Sequence, residues 1–199
     1  MSAAARTAPF VYLASASPRR AELLRQIGVD FDVWPADIDE SGLPGEAPDA
    51  CVERLAREKA RAVHAAIDAP TAPVLAADTT VVLDGQMLGK PADAAAAASM
   101  LRRLSGRSHD VFTAVAVLGG ERETAALSRS RVTFRALEPA EIEAYWRTGE
   151  PVGKAGSYAI QGLGAVFVEE LHGSYSGVMG LPLFETGRLL AGFGYRLPI

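Results

Sequence analysis

The residues of this chain that could do chemistry are cations, carboxylates and hydroxyls at the predicted ends of strands and helices. They are Ser15, Arg19, Arg20, Lys59, Lys90 and Lys154, together with Glu40 and Asp78. Lysine and arginine neutralise phosphate oxygens, and carboxylates hold a hard divalent cation that keeps several of its waters. A water polarised by such a metal could attack phosphorus in line with a departing pyrophosphate. The combination therefore favours a polyphosphate ester that binds together with a divalent metal.

The first stretch that could bind an anion is a predicted strand, turn and helix at residues 10–27. An apolar strand runs into a short polar turn, and Pro18 then occupies the first turn of a helix, where proline is favoured. Backbone N–H groups, serine hydroxyls and two guanidinium groups collect at this helix N-terminus, where an anion is stabilised. Consecutive helical residues diverge by about 100°, so we expect Arg19 to face a ligand and Arg20 to face outward. The alternative is that Ser17 is only an N-cap and that both arginines are solvated.

Two charged residues interrupt patterns that are otherwise apolar. Lys59 falls on the apolar face of a helix predicted over residues 49–67, so it either reaches an edge or points into a cleft that contains negative charge. Asp78 interrupts an apolar strand that continues to a hairpin turn at Asp84-Gly85. A buried carboxylate is costly unless it is paired, hydrogen-bonded or bound to a metal. The alternative for Asp78 is a turn aspartate at the end of a strand.

Composition excludes several classes of protein. With 199 residues, of which 49% are hydrophobic and 22% charged, the chain can bury a substantial core. The net charge of −4 argues against non-specific binding to nucleic acid, and no apolar run approaches the length of a membrane span or signal-peptide core. The single Cys51 cannot form an intrachain disulfide, so we expect a soluble protein of the reducing cytoplasm.

The common nucleotide and zinc motifs are missing from the sequence. It contains neither a Gly-x4-Gly-Lys-Ser/Thr loop nor a Gly-x-Gly-x-x-Gly segment after a strand. One cysteine and three histidines at unrelated spacings give no zinc signature, so His64, His109 and His172 are predicted to be structural or superficial. The phosphate chemistry must therefore come from the dispersed charged residues.

The order of the predicted elements indicates an α/β fold. The chain begins as strand, helix and strand, continues with a long helix, a buried strand and an alanine-rich helix, and then forms an antiparallel hairpin over residues 111–136. A short helix from Pro139 precedes a glycine-rich loop at residues 149–164, and a loop of this length indicates a function. A strand at residues 165–171 and a last helix at residues 181–193 follow. We expect two α/β lobes with a cleft between them.

Six short motifs, in order over residues 11–190, resemble the Maf family of nucleoside triphosphate pyrophosphatases. They begin at Ser15 (SASPRR), Arg57 (REKA), Ala77 (ADT), Gly89 (GKP), Lys154 (KAGSYAIQG) and Gly180 (GLPL). The resemblance implies a single two-lobed domain over residues 1–199, with an elongated mixed central sheet flanked by helices, as in the Maf/ITPase-like fold. It also implies a cytoplasmic, often dimeric enzyme that cleaves a nucleoside triphosphate between the α and β phosphates with Mg²⁺ or Mn²⁺.

The resemblance further implies roles for individual residues. Asp78 would be the catalytic acid–base residue, acting on the attacking water or through the metal, and Glu40 would help to bind that metal. Ser15, Arg19, Lys59 and Lys90 would hold the phosphates, and Arg19, Thr79 and Gln161 match positions associated with base selection. Asp39 is adjacent to Glu40, and which carboxylate reaches the cation is left open. Gly177 departs from the family, which often has asparagine there, so a polar role of that position is in doubt.

The substrate implied by the resemblance is a pyrimidine nucleotide. The segment around Gln161 is similar to the branch that acts on dTTP and UTP, and an amide can both donate to and accept from a pyrimidine edge. The alternatives are the branch that acts on 7-methyl-GTP and a non-catalytic nucleotide-binding regulator of septum formation. Asp78, Lys59 and Lys90 argue against the regulator, since binding alone needs no carboxylate beside the scissile phosphate. The expected partners are the nucleotide and a second copy of the chain, with no membrane and no nucleic acid polymer.

Overall fold

The protein is described by a computed structural model over residues 10–67 and 72–198. Within these ranges, the strands of one sheet are β1 (Phe10–Leu13), β2 (Asp30–Val33), β3 (Val74–Leu83), β4 (Gln86–Leu88), β5 (Ser108–Gly119), β6 (Arg122–Phe134) and β7 (Val168–His172). The helices are α1 (Pro18–Gln26), α2 (Pro48–Ala66), α3 (Ala94–Leu104), α4 (Pro139–Arg147), α5 (Tyr175–Met179) and α6 (Leu183–Gly192). Short 3-10 helices lie at Ala155–Ser157 and Leu163–Phe167.

The sheet is mixed, with the strand order β2-β1-β3-β5-β6-β7 and with β4 paired to β3. β1 runs parallel to β2 and to β3, because helical connections return the chain to the same edge, whereas the pairs from β3 to β7 are antiparallel. The prediction of an α/β fold with a mixed central sheet flanked by helices is therefore confirmed. In the described part of the chain, no helix has both the length and the apolar character needed to cross a membrane.

β3 presents alternate side chains to helices on opposite faces of the sheet. On one face, Ala76 packs in a cluster with residues of α2, and on the other face Ala77 packs with residues of α1 and α6. The same alternation turns Asp78 toward α2 and Thr79 toward α1. Two adjacent residues of one strand therefore reach different sets of polar partners.

The second half of the sheet packs against α3 and α4. A cluster of buried side chains joins the far end of β3 to these helices and includes Leu104, Phe134, Tyr145, Tyr158 and Phe167. Several of the aromatic rings meet edge to face, with the centroids of Tyr145 and Phe167 4.9 Å apart. This packing fixes α4 beside the glycine-rich loop that follows it.

The C-terminal third differs from the prediction at the starts of two elements and in one additional helix. The strand predicted over residues 165–171 begins only at Val168, because the preceding residues form a 3-10 helix. The last helix begins at Leu183 instead of residue 181, and the sequence analysis missed α5 entirely. α5 has five residues, which are too few to show an apolar period. Its start is capped by the Ser174 side chain, which accepts a hydrogen bond from the Gly177 N–H, and it ends at Gly180, which has a φ of 118°.

Candidate active site

The predicted site residues line one open cleft of about 890 Å³. The β1–α1 turn, α2, β3, the loop after α4 and the end of α5 form its walls. The lining includes every residue to which the resemblance assigned a role, namely Ser15, Arg19, Glu40, Lys59, Asp78, Thr79, Lys90 and Gln161. Lys154, which the sequence analysis proposed as a phosphate-binding cation from residue type alone, lines the cleft as well.

The floor of the cleft carries a chain of alternating charges centred on Lys59. Its Nζ atom lies 2.6 Å from Asp78 Oδ1 and 2.6 Å from Glu40 Oε1, and only 7% of the lysine side chain is exposed. Lys90 Nζ lies 3.0 Å from Glu40 Oε2 and extends the chain toward solvent. The interruption of the α2 apolar face by a lysine, and of β3 by an aspartate, is thus one feature: the two residues pair with each other.

Glu40 is held ionised by these lysines. Burial opposes its charge, but the hydrogen bonds and charges of Lys59 and Lys90 outweigh it and lower the pKa of Glu40 to about 2. The adjacent Asp39 instead accepts a hydrogen bond from the Ser41 N–H at 2.9 Å and is absent from the cleft lining. The geometry therefore favours Glu40 over Asp39 as the carboxylate that faces a ligand.

Arg20 is half-buried in the wall of the cleft and belongs to its lining, so the expectation that it faces outward is wrong. Its Nε donates to the Gly180 carbonyl at 2.8 Å, and its terminal nitrogens donate to Ser15 Oγ and Thr79 Oγ1, each at 3.2 Å. Burial lowers the pKa of Arg20, although the charge of Asp78 acts in the opposite sense. Both arginines of the first turn of α1 reach adjacent carbonyls, those of Met179 and Gly180, so the angle between successive helical residues does not separate them.

Arg19 and Lys154 form a positively charged wall of the cleft. Arg19 Nε donates to the Met179 carbonyl at 3.3 Å. Burial lowers the pKa of Lys154, and the nearby positive charge of Arg19 lowers it further. Two cations that line the same cleft and repel each other favour a bound anion, because an anion relieves their mutual repulsion.

The sequence analysis missed the part that α5 plays in this site. The carbonyl groups of Met179 and Gly180, at the end of α5, accept hydrogen bonds from Arg19 and Arg20 respectively. The sequence signal for the end of this helix was a glycine followed by Leu-Pro, and Gly180 indeed adopts a positive φ. Gly177 makes its polar contacts through the backbone: its N–H donates to Ser174 Oγ at 2.9 Å, and its carbonyl accepts a hydrogen bond of 2.7 Å from the buried Thr113 hydroxyl.

The chemistry of the donors fits a divalent cation that binds together with a phosphate. Among residues 10–67 and 72–198, no group of three or more His, Cys, Asp or Glu side chains could enclose a metal. Mg²⁺ in phosphate sites is usually held by one or two carboxylates, with substrate phosphates and waters supplying the other oxygens. Glu40 and Asp78, which converge on one ammonium group in an open cleft, supply such a pair of carboxylates.

Comparison with known proteins identifies the family. The profile of the family described as "Maf-like protein" matches residues 10–193. The chain belongs to the Maf family. This Maf protein is 52% identical to the dTTP/UTP pyrophosphatase of Aromatoleum aromaticum, over 94% of this chain and 97% of the relative. It is 56% identical to the dTTP/UTP pyrophosphatase of Burkholderia pseudomallei, over 94% of this chain and 95% of the relative.

A solved structure shares the fold of this Maf protein at low sequence identity. Protein VC0702 from Vibrio cholerae superposes with a TM-score of 0.50 at 12% identity, over 96% of this chain and 100% of that chain. At this identity the likeness extends to the fold alone. The family resemblance inferred from the six short motifs is confirmed by the family match and by the curated relatives.

Proposed function

We propose that this Maf protein is a nucleoside triphosphate pyrophosphatase that hydrolyses dTTP and UTP to the monophosphate and pyrophosphate. The observation that carries the proposal is the pairing of Asp78 and Glu40 with the buried Lys59 at the floor of a cleft with cationic walls. The names of the relatives, which are dTTP/UTP pyrophosphatases at 52% and 56% identity, support the substrate class. The volume of the cleft is in the range of sites that enclose a small-molecule ligand.

The charged residues divide the work between binding and proton transfer. Lys59, Lys90, Arg19 and Ser15 would bind the phosphate oxygens, and Arg20 would hold the Ser15 hydroxyl in place. Asp78 would accept a proton from the water that attacks the α phosphorus, while Lys59 keeps its carboxylate oriented. Glu40 and Asp78 would hold Mg²⁺ or Mn²⁺, which supplies charge neutralisation at the phosphates when it is bound.

The base would be selected at the outer end of the cleft. Gln161 is exposed to the cleft, and its amide can donate to and accept from a pyrimidine edge. Arg19 and Thr79 line the same cleft and complete the set of residues that we assign to base selection. The proposal also includes a homodimer, a cytoplasmic location and a single two-lobed domain, which stay predictions from the sequence.

A panel of substrates tests the proposal. Purified protein is incubated with Mg²⁺ or Mn²⁺ and with dTTP, UTP, CTP, GTP, ATP or 7-methyl-GTP, and monophosphate and pyrophosphate are measured together. We expect both products from dTTP and UTP, loss of turnover on chelation, and its recovery when the metal is restored. Pyrophosphate from 7-methyl-GTP alone would assign the protein to the other branch, and binding without products would favour the regulator.

A matched pair of variants tests the role of Asp78. Asp78→Asn removes the carboxylate with little change of volume, and we expect a loss of about 10²–10⁴ in kcat, the contribution typical of general acid–base catalysis. Asp84→Asn makes the same change at an exposed hairpin turn outside the cleft, where the carboxylate pairs with Arg107, and should keep full activity. Full activity of Asp78→Asn would remove Asp78 from the mechanism.

A further inference from the structure

Glu150, which lies in the turn after α4, binds the loop that carries Gln161. Its Oε1 accepts a hydrogen bond from the Tyr145 hydroxyl at 2.6 Å and from the Gly164 N–H at 2.9 Å, and its Oε2 accepts from the Leu163 N–H at 2.9 Å. Burial opposes the charge, but these hydrogen bonds keep the pKa of Glu150 below its ordinary value. A carboxylate with this many donors fixes the backbone that it touches.

Tyr145 extends the same network to the other side of Gln161. This tyrosine is only 4% exposed, and while its hydroxyl donates to Glu150 it also accepts a hydrogen bond of 3.1 Å from the Ala159 N–H. The two side chains therefore bind the backbone two residues before Gln161 and two and three residues after it. Packing of the Tyr145 ring on Phe167, at 4.9 Å between centroids, holds the hydroxyl in place.

Two glycines of the loop, Gly162 and Gly164, are explained by this close approach. A Cβ atom at Gly162 would collide with the Glu150 carboxylate, and a Cβ atom at Gly164 would lie 2.7 Å from the Tyr145 hydroxyl oxygen. Side chains at either position would therefore push Glu150 or Tyr145 away from the backbone that they bind. Gly162 and Gly164 therefore leave room for the network formed by Tyr145 and Glu150.

Gln161 itself is an exposed residue of the cleft wall, so its position depends on the backbone on either side. We propose that Tyr145 and Glu150 are positioning residues for base selection: they touch no nucleotide, but they fix the loop that presents Gln161 to the base. The proposal rests on the proposed function, because it needs a substrate whose base is read by Gln161. A polar group that reads a base must be placed to within a fraction of an ångström, since a misplaced donor or acceptor loses its discrimination.

Two conservative variants test the proposal. Tyr145→Phe removes one hydroxyl, and Glu150→Gln replaces one of the accepting oxygens by an NH₂ group. The measurement is kcat/KM for dTTP, UTP, CTP and GTP with each variant, together with amide hydrogen exchange of residues 159–164. We expect kcat/KM for dTTP and UTP to fall about tenfold, which corresponds to the loss of one buried hydrogen bond. The values of kcat/KM for CTP and GTP should change less. The preference for dTTP and UTP over CTP and GTP, expressed as the ratio of kcat/KM values, should therefore fall.

The controls remove the same groups elsewhere. Tyr195→Phe deletes a buried hydroxyl that donates to the Gly28 carbonyl, and Glu141→Gln alters a carboxylate of α4 that accepts from Arg135 and from the Glu138 N–H. Both should leave the ratio of kcat/KM between bases unchanged. Exchange at residues 159–164 should accelerate in Tyr145→Phe and Glu150→Gln but not in the controls.

The possible outcomes separate this inference from the function on which it rests. A wild-type protein that fails to hydrolyse dTTP and UTP would overturn the proposed function and the inference with it. A wild-type protein that hydrolyses both, with Tyr145→Phe and Glu150→Gln lowering kcat/KM equally for every base or for none, would overturn the inference alone. A lowered base ratio together with faster exchange in the loop would support it.

Discussion

Replacing Arg20 by lysine should destabilise the protein although it keeps the positive charge. The Arg20 guanidinium donates to three acceptors in different directions: the Gly180 carbonyl, Ser15 Oγ and Thr79 Oγ1. An ammonium group is a compact point that can reach one of these positions but cannot span all three. The variant therefore loses two hydrogen bonds from a charged donor.

The expected size of the effect follows from that count. Hydrogen bonds that involve a charged group contribute about 1.5–3 kcal/mol each, so the loss of two lowers the free energy of unfolding by at least about 3 kcal/mol. With a urea dependence of about 1–3 kcal/mol per molar, the midpoint should shift by about 1 M or more. The α1–α5 contact is affected first, since the 2.8 Å bond to Gly180 joins these two helices.

Urea unfolding followed by tryptophan fluorescence measures this shift, since Trp34 and Trp146 lie in different parts of the fold. Arg19→Lys is the matched control for stability. Within the described residues Arg19 makes a single hydrogen bond, to the Met179 carbonyl at 3.3 Å, and an ammonium group can replace one such bond, so the substitution should cost about 1 kcal/mol or less. If Arg20→Lys unfolds within about 0.5 kcal/mol of the wild type, then Arg20 does not hold the two segments together and our account of this contact is wrong.

Two further predictions concern buried titratable groups. Burial lowers the pKa of His109 to about 4, so stability should fall as the pH drops from about 6.5 to about 4, where the unfolded chain binds the proton and the folded chain does not. The free energy of unfolding, measured by denaturant unfolding at each pH, should fall by about 3 kcal/mol across this range. In a His109→Phe variant this pH dependence should be absent. Burial, with a contribution from Glu46, raises the pKa of Cys51 to about 11, so the folded protein should react with a thiol reagent at pH 8 on the order of a hundredfold more slowly than the unfolded chain. Equal rates before and after addition of urea would contradict the second prediction.

That Lys59 and Asp78 are special positions could be predicted from the sequence, because each residue interrupts a regular apolar pattern. Helical and strand periods assign a side chain to a face, and each of these residues was assigned to a face where charge is costly unless it is paired. Period alone does not say which helix covers which face. The sequence therefore indicated that both residues need partners, and the packing of α2 on β3 shows that they are each other's partners.

The orientation of Arg20 and the network around Glu150 could not be read in this way. Arg20 is bound by a carbonyl 160 residues away at the end of α5, a helix too short to leave a periodic pattern. Glu150 lies in an irregular turn, where no period relates it to Leu163 and Gly164. Contacts between irregular segments depend on the tertiary path of the backbone, which local patterns do not encode.

The measurement that tests the central claim most directly is the fate of isotopic oxygen during hydrolysis of dTTP in H₂¹⁸O. Attack of water on the α phosphorus, with pyrophosphate leaving, places one ¹⁸O atom in the monophosphate. Mass spectrometry of the products should therefore find the label in dTMP and none in pyrophosphate. Label in pyrophosphate, or release of labelled orthophosphate from the γ position, would contradict the attack that we assign to the water beside Asp78.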